Sequence, residues 1–234
     1  FFMVTPLSTC VFTFIPQLFD ERPVFYRETS AQTYRPVSYL FSLVIISIAL
    51  MMIYDMIVMI LVWPLADLND AWYELGYYFG IGILISITSF MYAVLLCSLI
   101  PQAETANAVY ALFSFISSFT SGFLLTPSNI PVYWLWMYWI GYHHYGIEGM
   151  MINGIQRDLY YCTEEEIIPI SVPSYTNPFR FQLYCRLQDG YDLLDTFEID
   201  ESWLLPDMLF LLGDAVLLLA LSSVIISTFR HISR

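Results

Sequence analysis

The chain has 234 residues, of which 58% are hydrophobic and only 12% charged. A soluble domain carries about a quarter charged residues and under half apolar ones, so this composition argues against a soluble fold. The formal net charge of -13 repels phosphate and argues against a nucleic-acid partner.

Phe1-Phe2-Met3-Val4 opens the chain without a basic leader region, so the numbering is expected to start inside a longer protein. Residues 1–19 are about the length of one membrane crossing. Pro6 and Pro16 weaken that helix, and a truncated span or a buried soluble helix are both open. The polar stretch from Asp20 through Glu28, followed by Tyr34-Arg35-Pro36, is expected to form a short amphipathic helix on the cytoplasmic side.

Residues 37–65 form a long apolar run broken in charge only by Asp55, and Trp63-Pro64 closes it. Further spans are expected at 75–100, ended by Pro101, at 102–125, and at 204–229. Each is long enough to cross the hydrocarbon layer, where a helix satisfies its own backbone polar groups. All eight basic residues are arginine. Arg22, Arg27 and Arg35 precede the run at 37–65, and Arg230 and Arg234 follow the last span. Four crossings separate these ends, which places both in the cytoplasm and residues 126–203 outside.

That external region is not uniform. Residues 130–140 hold Tyr133, Trp134, Trp136, Tyr138 and Trp139, a density suited to an interfacial or re-entrant element. A small hydrophobic core outside the membrane is the alternative. Cys162 and Cys185 follow, where a disulfide is chemically reasonable, although pairing across a dimer is also open. Cys10 and Cys97 lie in apolar segments and read as buried thiols.

Candidate chemistry is sparse. His143-His144 lacks metal-ligand spacing, and Glu148, one turn beyond His144, is placed to pair with it. Asp55, Glu104 and Asp214 are costly against lipid. They line a polar path, bond between helices, or lie nearer an interface. Gly76, Gly80 and Gly82 suit close helix contact. No nucleophile–base arrangement or phosphate-cradling loop is present, so an intramembrane enzyme has little support.

The segment Asp20-Glu21-Arg22-Pro23-Val24-Phe25-Tyr26-Arg27-Glu28, with Tyr34 and Tyr39-Leu40, resembles the cytoplasmic segment between the second and third spans of the G subfamily of ATP-binding cassette transporters. Ser121-Gly122-Phe123-Leu124-Leu125 with Ile130-Pro131, Trp134, Trp136, Tyr138, Tyr145 and Glu148-Gly149 matches a second stretch. Gly190, Leu193-Leu194, Ile199 and Trp203 match a third, so the ordered set covers essentially the whole chain.

The resemblance implies an all-α integral membrane protein of the ABC-2 type. Residues 1–234 would be one transmembrane domain lacking its first helix, with 20–36 as a cytoplasmic coupling segment and 126–203 as an external loop. Glu21, Arg22, Arg27 and Glu28 would transmit motion from an ATPase domain. Thr5, Pro6 and Thr9 would face a substrate cavity, and Phe123 and Leu124 would form an apolar gate above it. Cys162 and Cys185 fall in the family's external region.

ATP and magnesium would bind only in associated nucleotide-binding domains, because this chain lacks a G-x-x-x-x-G-K-[ST] loop. The expected partners are those domains, a second membrane domain, and a lipid or other lipophilic substrate. The expected location is the plasma membrane, or an organelle membrane. The chain departs from the family pattern at Thr9, where some multidrug members carry an aromatic residue, and at Phe123, which replaces a leucine. Gln32 stands where glycine is frequent, and His143 where proline is. The expected function is ATP-driven export by alternating access, and the alternative is a non-transporting anchoring or assembly module.

Overall fold

The computed structural model describes residues 4–65, 72–155, 168–171, 181–184 and 190–228. Cys162, Cys185, Arg230 and Arg234 lie outside the described residues. Helix α1 (Val4–Thr9) passes through a 3-10 turn, Cys10–Thr13, into α2 (Phe14–Ser30). Then come α3 (Pro36–Leu65), α4 (Trp72–Leu99) and α5 (Ala103–Phe119). The short α6 (Leu135–Ile140) leads into α7 (Tyr142–Ile155). Strands β1 (Ile168–Ser171) and β2 (Phe181–Tyr184) pair antiparallel, and α8 (Gly190–Thr196) precedes α9 (Leu204–Thr228).

Among the described residues, three helices are long and apolar enough to cross a membrane: α3, α4, and α9 with its preceding turn from Glu201. At 1.5 Å per residue, the 30 residues of α3 extend about 45 Å, against about 30 Å of hydrocarbon. The span expected at 102–125 is a helix only from Ala103 to Phe119, 17 residues. Thr120 caps it, and two residues further on Gly122 has a φ of 95°, a left-handed conformation that side-chain-bearing residues resist.

Helical periodicity decides which faces are inside. Buried positions on α3 are Leu40, Val44, Ser47, Met51, Asp55 and Met59, and on α9 Asp207, Leu211, Ala215, Leu218 and Ser222. Steps of three and four residues make one stripe on each helix. The opposite faces expose Ile45, Ile53 and Ile60 on α3 and Leu209, Val216 and Val224 on α9. Such continuous apolar surfaces suit lipid rather than water.

Helix α4 is the axis of the bundle, packing against α1, α2, α3, α5, α7 and α9. The glycines noted on it differ in use. A Cβ on Gly82 would collide with Met59, and one on Gly80 would meet Met208 at 3.1 Å, whereas Gly76 has nothing within 4 Å. Close contact accounts for the first two and not for Gly76.

The polar segment after residue 19 is not a separate amphipathic helix. Helix α2 runs unbroken from Phe14 to Ser30 with Pro23 inside it. Pro23 cannot donate to the carbonyl of Phe19, and the Arg22 guanidinium lies 3.9 Å from the Phe19 ring centre. The helix ends in a Schellman cap. Thr33 N–H donates to Glu28 O and Gln32 N–H to Thr29 O, each at 3.1 Å, with Gln32 at φ 56°. That left-handed position is the one glycine takes most readily.

Candidate functional site

The arginine-bearing end of α2 is tied to two membrane helices. Arg22 donates to Ile100 O at 2.9 Å and to Pro101 O at 3.4 Å, where α4 leaves carbonyls without intrahelical donors. Partial burial pulls the Arg22 guanidinium below its usual value, and it stays charged at neutral pH because the ordinary value is so high. One position earlier, Glu21 accepts a 2.9 Å bond from the Tyr39 hydroxyl in the first turn of α3. Phe25 packs on Tyr39 with ring centres 4.5 Å apart. Glu28 lies near Tyr34, and Arg27 is exposed. Glu21 and Arg22 therefore each bond to another part of this end, and Arg27 contributes its backbone carbonyl to the Ala31 N–H.

Toward the other end, α1 meets α5 and α7 through a buried polar chain. The His143 ring lies 3.1 Å from Ser8 Oγ on α1 and 3.1 Å from Ser117 Oγ on α5. Tyr110 donates to the Ser8 carbonyl at 3.0 Å, and Tyr142 donates to Ser114 Oγ at 3.4 Å. Each hydroxyl or ring nitrogen thus has a partner where water is excluded, which a buried polar group requires. Of these residues, only His143 was singled out in the sequence. A serine or tyrosine inside an apolar run carries no pattern that separates a network member from filler.

Thr5 and Pro6 are half-buried on α1 and Thr9 is exposed. Thr9 Oγ1 bonds back to Pro6 O at 3.0 Å, so its hydroxyl proton is already used within the helix. Val109, Leu112, Phe115 and Phe119 form an exposed apolar edge on α5. Phe123 stacks on Phe197 at 5.5 Å and 9°, and it shares an apolar cluster with Val4. Leu124 is exposed. Phe123 is thus packed inward and Leu124 is not.

Helix α7 lies in the region 126–203, expected as an external loop with re-entrant or interfacial elements; it is almost wholly buried and packs against α4, α5 and α9. Gly149 permits this, because a Cβ there would collide with Ile81 and lie 2.7 Å from the Tyr77 hydroxyl. Glu148 does pair with His144, at 3.2 Å. Asp207, fully buried on α9, lies near Glu148, and neither of its oxygens has a hydrogen-bond partner among the described residues. In the aromatic segment, Trp136 and Trp139 are exposed while Met137 and Tyr138 are buried, so one face of α6 packs inward and the other carries indole rings outward. Cys10 and Cys97 are free thiols, Cys97 buried and Cys10 half-buried.

No group of three or more His, Cys, Asp or Glu side chains is placed to hold a metal among the described residues. The sequence holds no G-x-x-x-x-G-K-[ST] loop.

Residues 1–155 match the family model described as the ABC-2 type transporter. The chain belongs to that family. It is homologous to members of the G family of ABC transporters. It is 26% identical over 204 residues to ABC transporter G family member 5 of Dictyostelium discoideum, covering 86% of this chain and 14% of the relative. It is 29% identical over 209 residues to ABC transporter G family member STR of Medicago truncatula, covering 87% of this chain and 25% of the relative. With ABC transporter G family member 8 of Arabidopsis thaliana it shares 25% identity over 152 residues, 65% of this chain and 26% of the relative. The chain thus spans about a quarter or less of the curated relatives it matches. It is an all-α, multi-pass ABC-2 type membrane domain.

Proposed function

We propose that this domain is the membrane part of an ATP-driven exporter of a lipid, sterol or other lipophilic compound. It would work by alternating access with a second membrane domain and with nucleotide-binding domains, in the plasma membrane. The observation that carries the reading is the pair of contacts from neighbouring positions of α2: Glu21 to the start of α3 and Arg22 to the end of α4. A push on the α2 end at that point is delivered to two spanning helices at once, which a solvated loop would not do.

The exposed edges of α1 and α5 are the faces we assign to the second membrane domain and the substrate path. Thr5, Pro6 and Thr9 offer a cavity wall of methyls with few free hydroxyls, suited to lipophilic cargo. Phe123, stacked on Phe197, would close that wall on the external side by bulk alone, with Leu124 alongside. Glu28 and Arg27 would complete the contact surface for the nucleotide-binding domain.

The test is ATP-dependent movement of fluorescent phospholipid, sterol and lipophile probes by the full-length protein in sealed vesicles. Export predicts movement of at least one class that stops when ATP is withheld. A folded assembly that turns over ATP and moves none of them would contradict export and leave an anchoring or assembly module.

A further inference from the structure

A second feature lies away from the α1–α5 face. A groove of about 730 Å³ opens between α4, α6, α7 and α9. Its walls include Tyr92, Trp139, Tyr145, Phe210 and Leu217, and Asp214 stands among them. Asp214 occupies the middle of α9, at the edge of the buried stripe, and is half-buried. A carboxyl group at that depth is costly unless it has a partner. The groove-lining residues include no arginine or histidine, and the chain has no lysine. The ionisable groups facing it are the Tyr92 and Tyr145 hydroxyls.

The acceptors gather at one place. The Tyr92 hydroxyl lies near Asp214 and donates to Ile140 O at 3.2 Å. It has a single proton, so it cannot satisfy both. The spot holds two carboxylate oxygens, a carbonyl oxygen and a phenol oxygen against that one donor. The missing counterpart is a donor-rich cation. A primary ammonium supplies three N–H donors, whereas a sterol or alcohol hydroxyl supplies one. The walls add to the match: Tyr145 and Phe210 stack at 4.8 Å and 7°, and aromatic faces attract a cation. A Cβ on Gly213 would meet nothing within 4 Å, so the space beside Asp214 is open.

We propose that this groove binds a lipophilic primary amine drawn from the bilayer, with its ammonium on Asp214 and Ile140 O and its chain along Phe210 and Leu217. The site is separate from the α1–α5 face and does not depend on export.

The test uses the full-length protein in phosphatidylcholine nanodiscs with a diazirine-bearing octadecylamine, and the matching octadecanol as an uncharged control. Crosslinks are mapped by mass spectrometry. The amine labels residues 209–218 saturably, is displaced by plain octadecylamine, and exceeds the alcohol by about tenfold, as expected for a charge-assisted contact. Asp214→Asn removes that preference. Gly213→Phe keeps the carboxylate, fills the groove and lowers labelling by amine and alcohol alike, which tests the site even if Asp214→Asn does not fold. Equal labelling by amine and alcohol in the native protein marks ordinary annular lipid and overturns the proposal. So does amine labelling that survives Gly213→Phe.

Discussion

Arg22 reaches the carbonyl oxygen of Ile100 at 2.9 Å, joining the polar end of α2 to the end of α4 across 78 positions of sequence. A cation at a helix C-terminus meets both orphan carbonyls and the negative end of the helix dipole. Arg22→Ala should cost about 1–2 kcal/mol, the lower part of the range for a charged hydrogen bond because the site is partly solvated. Thermal unfolding in detergent should then drop by several degrees, about 2–4 °C per kcal/mol for a domain of this size. Arg22→Lys should fall between, since it keeps the charge and loses the fork.

Gln32 sits at φ 56° in the cap after α2. A left-handed residue with a Cβ costs about 1–2 kcal/mol, so Gln32→Gly should raise the unfolding temperature and Gln32→Val should lower it. An unchanged midpoint in both would show that this cap does not limit stability.

His143 bridges Ser8 and Ser117. His143→Ala removes both bonds and leaves a void, a loss of about 2–4 kcal/mol. Proline at the same position should be tolerated by the backbone, because His143 is the second residue of α7 and its N–H precedes the intrahelical ladder. Ile147→Pro, one turn further on, should cost about 3 kcal/mol or more from the lost bond and ring clash. Circular dichroism on the three variants distinguishes loss of the bridge from loss of the helix.

Gly149 lets α7 approach α4. Tyr77 is held by its own 2.6 Å bond to Leu204 O and cannot retreat freely from an added side chain. Gly149→Val should destabilise by about 1–3 kcal/mol through overpacking, whereas Gly76→Ala, facing open space, should be neutral or slightly stabilising. Parallel melts of the two variants check the contrast.

What the sequence disclosed followed from period and charge. The runs ending near Leu65, Leu99 and Thr228 were legible because an apolar stretch longer than a bilayer with at most two acids has few other readings. The three isolated acids were legible as costly, but not as three different solutions. Asp55 is buried on the α3 stripe beside Ser86. Glu104 is exposed in the first turn of α5, where the helix dipole favours an acid, and Asp214 opens onto a groove. Periodicity does not separate the first from the third, since Asp214 also keeps three-and-four spacing with Leu211 and Leu218, and only the packing of neighbouring helices leaves it at the edge of the stripe.

Helix α7 was hidden for a different reason. Fourteen residues are too few to span, and the glycines that let it bury also lower its helical propensity. Its place is set by tertiary contact with α4 and α9. The chain from Ser8 through His143 to Ser117 depends on residues 135 positions apart and has no local signature.

The central claim is that the end of α2 transmits ATP-driven motion to α3 and α4. Its most direct test measures ATP turnover and lipophile movement together, in the full-length protein in vesicles, for native protein, Arg22→Ala and Tyr39→Phe. The account predicts that both substitutions leave ATP turnover largely intact while the amount moved per ATP falls severalfold. An unchanged ratio of movement to turnover in both variants would contradict it.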